Sequence, residues 1–314
     1  MPRSRSAASS RAASRRSSKP LTVPTSAAGP RSLIVGIGGG GDVVGAVAAA
    51  ELLGAAVVGG LTWERRPVDP IPGPRRLGEI ANAELLNDAV ALAGPQTSGP
   101  GGFVFCEAHV ARALGERTVL VDPSGGPRAL AGALDDAAAH LGCGRIVLLD
   151  VGGDVLAHGD EPGLASPLAD AVLLACARFL RTPAVGAVFG AGCDGELTPR
   201  EVRERLDEVG TLGEDRLDEA QLDRVEAVAR EVPTEASAMA LRCARGERGE
   251  VTIRQGRRTV SLTELGGVVA WFDPSRAMQT AARLATAVAA DALLEARGIR
   301  TELAYEREMA AQPH

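Results

Sequence analysis

Five short, continuous apolar runs constrain this chain more than any other feature: Ser32 to Ile37, Ala55 to Leu61, Arg117 to Val121, Arg145 to Leu149 and Ala184 to Phe189. Runs without polar alternation predict strands covered on both faces, as in parallel sheets. Between them lie helical stretches, Val43 to Leu53, Pro127 to Leu141 and Pro167 to about Leu180. Strand and helix alternating in this way predict an α/β fold with a doubly wound, mostly parallel sheet, and its crossovers are right-handed.

Several boundaries carry their own punctuation. Ser166-Pro167, Thr198-Pro199 with Glu201, and Asp273-Pro274 each set a capping side chain before a proline at the first helical position. Residues Thr62 to Gly102 form a Pro- and Gly-rich connection with one weak helix predicted over Leu77 to Leu92. After Thr198 the pattern changes to charged helices through Glu231 and a further helix from Thr234 to about Arg245. A hairpin of Val251 to Ile253 with Thr259 to Leu262, a strand Val268 to Phe272 and a long helix Ser275 to Arg297 follow. We read residues 32–314 as a single domain, of which 198–314 are a helical and hairpin C-terminal elaboration.

Charge separates this body from what precedes it. Residues 1–31 hold Lys19 and six arginines without one acid, in a Ser-, Ala- and Pro-rich context that predicts a disordered basic tail. Since the chain has 34 basic and 40 acidic residues, the remainder carries 27 against 40, a net −13. A body of that sign repels phosphate backbones, so nucleic acid is not an expected partner. No stretch resembles a spanning helix or a secretion signal, which leaves a cytoplasmic protein with no membrane partner as the expectation. A homo-oligomer is compatible with the sequence. Lys19 is the only lysine, which removes Schiff-base chemistry, phosphate-binding loops ending in lysine and kinase-type strand lysines from the folded body. Cys106, Cys143, Cys176, Cys193 and Cys243 are widely spaced, which indicates neither a disulfide framework nor a zinc site.

The chemistry concentrates where the runs end. Gly36-Ile37-Gly38-Gly39-Gly40-Gly41 satisfies Gly-x-Gly-x-x-Gly after a predicted strand and before a predicted helix. Such a turn accommodates a nucleotide-like ligand, another anionic or polar metabolite, or a purely structural bend. Asp42 follows at once, with a carboxylate where a pyrophosphate would sit, and Glu64 stands where ribose hydroxyls are accepted in dinucleotide sites. The other runs end alike, in Asp122-Pro-Ser-Gly125-Gly126, Asp150-Val-Gly152-Gly153-Asp154 and Gly190-Ala-Gly-Cys-Asp194-Gly195. Ligands of open parallel sheets bind outside the carboxyl ends of the strands, where these aspartates would converge. Clustered carboxylates either hold a divalent cation or raise one another's pKa into the general acid/base range. Asp150, Asp154, Asp194 and His158 are therefore the catalytic candidates, and Gly36, Gly38 to Gly41, Asp42, Glu64, Gly125, Gly126, Gly152 and Gly153 the ligand-cradle candidates. The sequence does not identify a metal. Arg65, Arg75 and Arg76 border the long connection as further anion-binding candidates, and Trp63 as a pocket wall.

Residues 36 to 46, Trp63-Glu64-Arg65, Asp69-Pro-Ile-Pro-Gly-Pro-Arg75 and Asp150-Val-Gly-Gly-Asp154, with Gly159, Glu161, Ser166-Pro167 and Asp170, together resemble the domain of unknown function 1152 family of prokaryotic proteins. The resemblance covers residues 32 to about 305 and implies a Rossmann-like α/β fold. It brings no activity or catalytic residue with it. The functional expectation is a small-molecule enzyme of lyase, isomerase or hydrolase type that acts on a polar or phosphorylated metabolite. The alternatives are an NAD(P)-dependent oxidoreductase and a ligand-binding regulatory protein without turnover.

Overall fold

The structure, a computed structural model, describes residues 29–280 apart from 71, 72 and 160. The expected basic tail up to residue 28, and the expected long helix beyond residue 280, lie outside the described residues. In chain order the elements are β1 (Ser32–Gly36), α1 (Asp42–Leu53), β2 (Ala56–Leu61), β3 (Ala81–Leu85), β4 (Val90–Ser98), α2 (Cys106–Leu114), β5 (Thr118–Val121), α3 (Pro127–His140), β6 (Arg145–Val151) and α4 (Leu168–Cys176). They continue with β7 (Ala184–Phe189), α5 (Pro199–Val209), β8 (Thr211–Asp215), α6 (Glu219–Ala229), α7 (Ala236–Ala244), β9 (Gly249–Ile253), β10 (Arg258–Leu262), β11 (Val269–Phe272) and α8 (Pro274–Thr280).

Nine of the strands form one mixed sheet in the order β3-β4-β5-β2-β1-β6-β7-β11-β8. The five central strands, β5, β2, β1, β6 and β7, run parallel. Antiparallel pairing enters on both flanks, through β4 and β3 on one side and β11 and β8 on the other. The expected doubly wound α/β architecture is therefore present, with β9 and β10 as a separate antiparallel hairpin. Alternating side chains of β1 serve two cores. Leu33 and Val35 join Leu134 of α3, Val172 of α4 and Leu206 of α5, whereas Ile34 joins Val44 of α1, Val225 of α6 and Leu241 of α7. Burial on both faces explains why these strands read as uninterrupted apolar runs. No helix among the described residues is long and apolar enough to cross a membrane.

Two expectations need correction. Residues Leu77 to Leu92 do not form a helix: a single 3-10 turn, Leu77–Glu79, leads into β3 and the start of β4. The Asn87 side chain closes the turn between them by accepting from the N–H groups of Ala89 (3.1 Å) and Val90 (2.9 Å), and Val90 then registers against Val121 of β5. Pairing to a sheet edge outweighs a weak local helical pattern. The charged stretch after Thr198 is likewise split by β8, which pairs with β11 and receives the Trp271 indole N–H on Asp215 Oδ2 at 2.6 Å.

The connection order places a topological switch at β1. The chain winds from β1 outward through β2 and β5, then returns to β6 on the other side of β1 and winds outward again to β7. At such a point the loops leaving adjacent strands diverge to opposite faces of the sheet and leave a crevice at the strands' carboxyl ends.

Candidate functional site

The crevice between the ends of β1 and β6 is filled from the β1 side by the protein itself. Asp42, the first residue of α1, folds its carboxylate back so that Oδ2 accepts from the Gly38 N–H (2.9 Å) and from the Val151 N–H at the end of β6 (3.2 Å). The Gly38 N–H belongs to the turn before a helix, where a bound phosphate would otherwise approach. The glycine turn is crowded by its own surroundings. A Cβ on Gly36 would lie 2.6 Å from the Asp42 carbonyl carbon, one on Gly38 2.7 Å from Asp42 Oδ2, one on Gly39 2.7 Å from Trp63 O and one on Gly40 2.8 Å from Glu64 Oε2, while one on Gly41 would overlap Thr234. Close packing of the chain thus already accounts for glycine at these positions. Gly38, Gly39 and Gly41 nevertheless line the cleft.

From β6, Asp150 Oδ2 accepts from the Gly153 N–H (2.7 Å) and the Val155 N–H (3.3 Å), which holds the following turn over the strand end. Gly152 and Gly153 have φ of 140° and 113°, a region closed to residues with a Cβ, and a Cβ on Gly152 would run into the Asp194 carboxylate. Asp194 comes from the turn after β7, where its Oδ1 accepts from the Glu196 N–H at 3.1 Å. Glu196 in turn accepts from the N–H groups of Ala165 (2.7 Å) and Ser166 (2.8 Å) and from the Ser166 hydroxyl (2.5 Å). Ser166 is therefore engaged with Glu196 and does not cap α4, whose N-cap position is taken by Pro167.

These turns converge on two groups of carboxylates, Asp42, Asp150 and Asp170, and Asp154, Asp194 and Glu196. Within each group the oxygens lie within 4.8 Å of one another, and all six residues are buried. Both groups line one narrow cavity of about 70 Å³, with Trp63, Arg65, Arg254 and Arg258 around it. Opposing charge is sparse: Arg258 stands 3.9 Å from Glu196, and among the described residues no arginine forms an ion pair with Asp42, Asp150, Asp154 or Asp194. Burial, reinforced by neighbouring carboxylates, pushes Asp42, Asp154 and Asp194 well above the usual carboxylate range and Asp150 up to about 7.

Other candidates lie elsewhere. Glu64 reaches the cleft wall, but its Oε1 accepts from the Cys106 N–H (2.6 Å) at the start of α2, so the carboxylate caps a helix. Burial raises it to about 7. His158 does not line the cleft; its Nε2 sits 2.9 Å from Glu208 on α5, both partly exposed. Gly125 and Gly126 follow β5, two strands from β1, and also lie off the cleft, while Asp122 accepts from the Ser124 and Leu77 N–H groups. Arg75 is held bidentately by buried Asp69, with both contacts at 2.5 Å. Of the basic candidates, only Arg65 reaches the cleft. Cys193 is buried with its Sγ 3.8 Å from Cys243 Sγ. Asp170, Glu196, Arg254 and Arg258 are the site residues that sequence reasoning had not selected. Asp170 in the first turn of α4 and Glu196 two residues after Asp194 were visible as acids at strand-end loops, but the two arginines arrive from a hairpin distant in sequence.

Comparison with curated proteins and with solved structures returned no match. A family model described as protein of unknown function (DUF1152) matches residues 33–310, which takes in every carboxylate of the cleft and both arginines of the hairpin; the chain belongs to this family.

Proposed function

We propose that the protein is an enzyme acting on a small anionic metabolite, with a divalent cation held by the cleft carboxylates. The observation that carries this reading is the convergence of six buried carboxyl groups, of which Asp42, Asp150, Asp154 and Asp194 form no ion pair with an arginine among the described residues. Buried carboxyl groups either keep their protons or need a partner, and ionising several of them together requires a counter-charge from outside the chain. Hard divalent cations take oxygen ligands of this kind.

In this reading Asp154, Asp194 and Glu196 would supply one group of ligand oxygens, and Asp42, Asp150 and Asp170 a second beside it. Bound there, a divalent cation would supply Lewis-acid chemistry, polarising an anionic group and lowering the pKa of a water. Asp150, which burial raises to about 7, is suited to relay a proton where no cation engages it. Arg65, Arg254 and Arg258 at the rim suit a carboxylate or phosphate. Hydrolysis fits this equipment best, and lyase or isomerase chemistry would use the same groups.

A thermal-shift screen against phosphorylated and carboxylated metabolites, nucleotides and nicotinamide dinucleotides, each with and without Mg²⁺ or Mn²⁺, tests the proposal. A ligand at 100 times its Kd stabilises by about 2.7 kcal/mol. The expected result is a shift that requires the cation and is lost in Asp154→Asn and Asp194→Asn. A cation-independent shift with NAD(H) or NADP(H) would instead support the oxidoreductase reading.

A further inference from the structure

The carboxylate cavity is too small for most metabolites, yet a larger one adjoins it. Ser237 Oγ donates to the Gly41 carbonyl at 2.9 Å, which fixes the first turn of α7, and with it the loop before the helix, on the glycine turn. Beyond that loop lies a second cavity of about 430 Å³, walled by Pro67, Val68, Val232 and Pro233. The two cavities share Arg65, Pro233, Thr234, Glu235 and Arg254. Small-molecule sites typically occupy about 300–1,000 Å³ and pair an apolar wall with a few polar groups, a description that the second cavity meets and that the carboxylate cavity, at about 70 Å³, does not.

The shared wall is held in an unusual state. Arg254 and Gln255, at the tip of the β9–β10 hairpin, both have φ of 56°, a left-handed conformation that residues with a Cβ seldom adopt. The Arg254 N–H donates to Glu235 Oε1 at 3.0 Å, which helps to hold that conformation. Its buried Nε makes no hydrogen bond and lies 3.7 Å from Glu235 Oε2, while Arg65 Nη1 approaches the same oxygen at 3.5 Å. Two guanidiniums thus flank one carboxylate over long contacts at the junction between an apolar cavity and an acidic one. This arrangement is suited to exchanging that carboxylate for a ligand's anion.

Building on the cation-assisted reading of the cleft, we infer that the substrate is amphipathic: an organic phosphate or carboxylate whose anionic group lies between Arg65 and Arg254, facing the carboxylates, and whose compact apolar body fills the cavity between Val68 and Val232. The apolar body confers selectivity, and the anionic group sets the register.

Calorimetric titration with two ligand series tests this, methyl-, phenyl- and 1-naphthylphosphonate for a phosphate and acetate, benzoate and 2-naphthoate for a carboxylate, each with and without Mn²⁺. In the series that matches the natural anion, the aryl ligands are expected to bind at least tenfold tighter than the methyl ligand. Val68→Trp, which fills the apolar cavity, should abolish that preference, whereas Arg254→Ala should weaken every member of the series about tenfold. Equal affinity along both series in the native protein, or a preference that survives Val68→Trp, would overturn the inference. Mn²⁺ titrated alone into the same samples separates this outcome from failure of the cation site.

Discussion

The Asp42 carboxyl group accepts a hydrogen bond from the Gly38 N–H at 2.9 Å, so the glycine turn that resembles an anion cradle already holds an acidic side chain of its own chain. The same oxygen accepts from Val151 and joins the ends of the two strands that flank the switch point. The turn therefore shapes a carboxylate site.

Gly38→Ala tests that relationship. The new Cβ would sit 2.7 Å from Asp42 Oδ2 and 3.4 Å from Asp170 Oδ2, so the carboxylate must move and give up its amide bonds. We expect a loss of about 1–3 kcal/mol in denaturant unfolding and at least a tenfold loss of Mn²⁺ affinity. An unchanged metal affinity would show that Asp42 takes no part in the site.

Glu64 makes stability fall as pH rises. Its folded pKa stands near 7, raised chiefly by burial, against about 4.5 for an ordinary glutamate. Below pH 4.5 both states are protonated and the group is neutral to folding. Between 4.5 and 7 the unfolded chain releases the proton first, which favours unfolding by up to about 3 kcal/mol. Glu64→Gln keeps an acceptor for the Cys106 N–H and removes the proton. Its unfolding free energy, measured by urea titration from pH 4.5 to 8, should fall less with pH than that of the native protein, and parallel profiles would contradict the assignment.

The buried Arg75–Asp69 pair pins the long connection that carries Trp63, Glu64 and Arg65 to the cleft. Arg75→Met leaves the fully buried Asp69 carboxylate without this bidentate partner. Breaking such a pair costs about 3–5 kcal/mol, visible as a lower urea midpoint with an unchanged slope.

His158 is expected to be dispensable. Its partner is Glu208 on α5, away from the cavity, so His158→Ala should change neither Mn²⁺ affinity nor turnover of an identified substrate by more than about twofold. Exposed pairs of this type contribute about 0–1 kcal/mol.

Most of the parallel core was legible because strands such as Leu33-Ile34-Val35 are apolar at every position, a direct consequence of helices on both faces. The edge strands were not. Ala81-Asn82-Ala83-Glu84-Leu85 is largely exposed, and Thr211 to Asp215 has no apolar period, since an edge strand needs only one paired side. At the site, Asp42, Asp150, Asp154 and Asp194 could be placed from strand ends and chain order. Glu64 could not be separated from a ligand-binding acid, because its helix-capping partner Cys106 is 42 residues away. Arg254 and Arg258 reach the cleft only through packing of a hairpin that belongs to a different sheet.

Mn²⁺ binding to the native chain and to Asp154→Asn, followed by calorimetry at pH 6 and pH 8, tests the central claim most directly. The account predicts saturable binding by the native protein that strengthens with pH, because the metal must displace protons from raised carboxyls, and at least a tenfold loss in the variant with its circular dichroism intact. Absence of saturable binding at both pH values, or equal binding by Asp154→Asn, would contradict it.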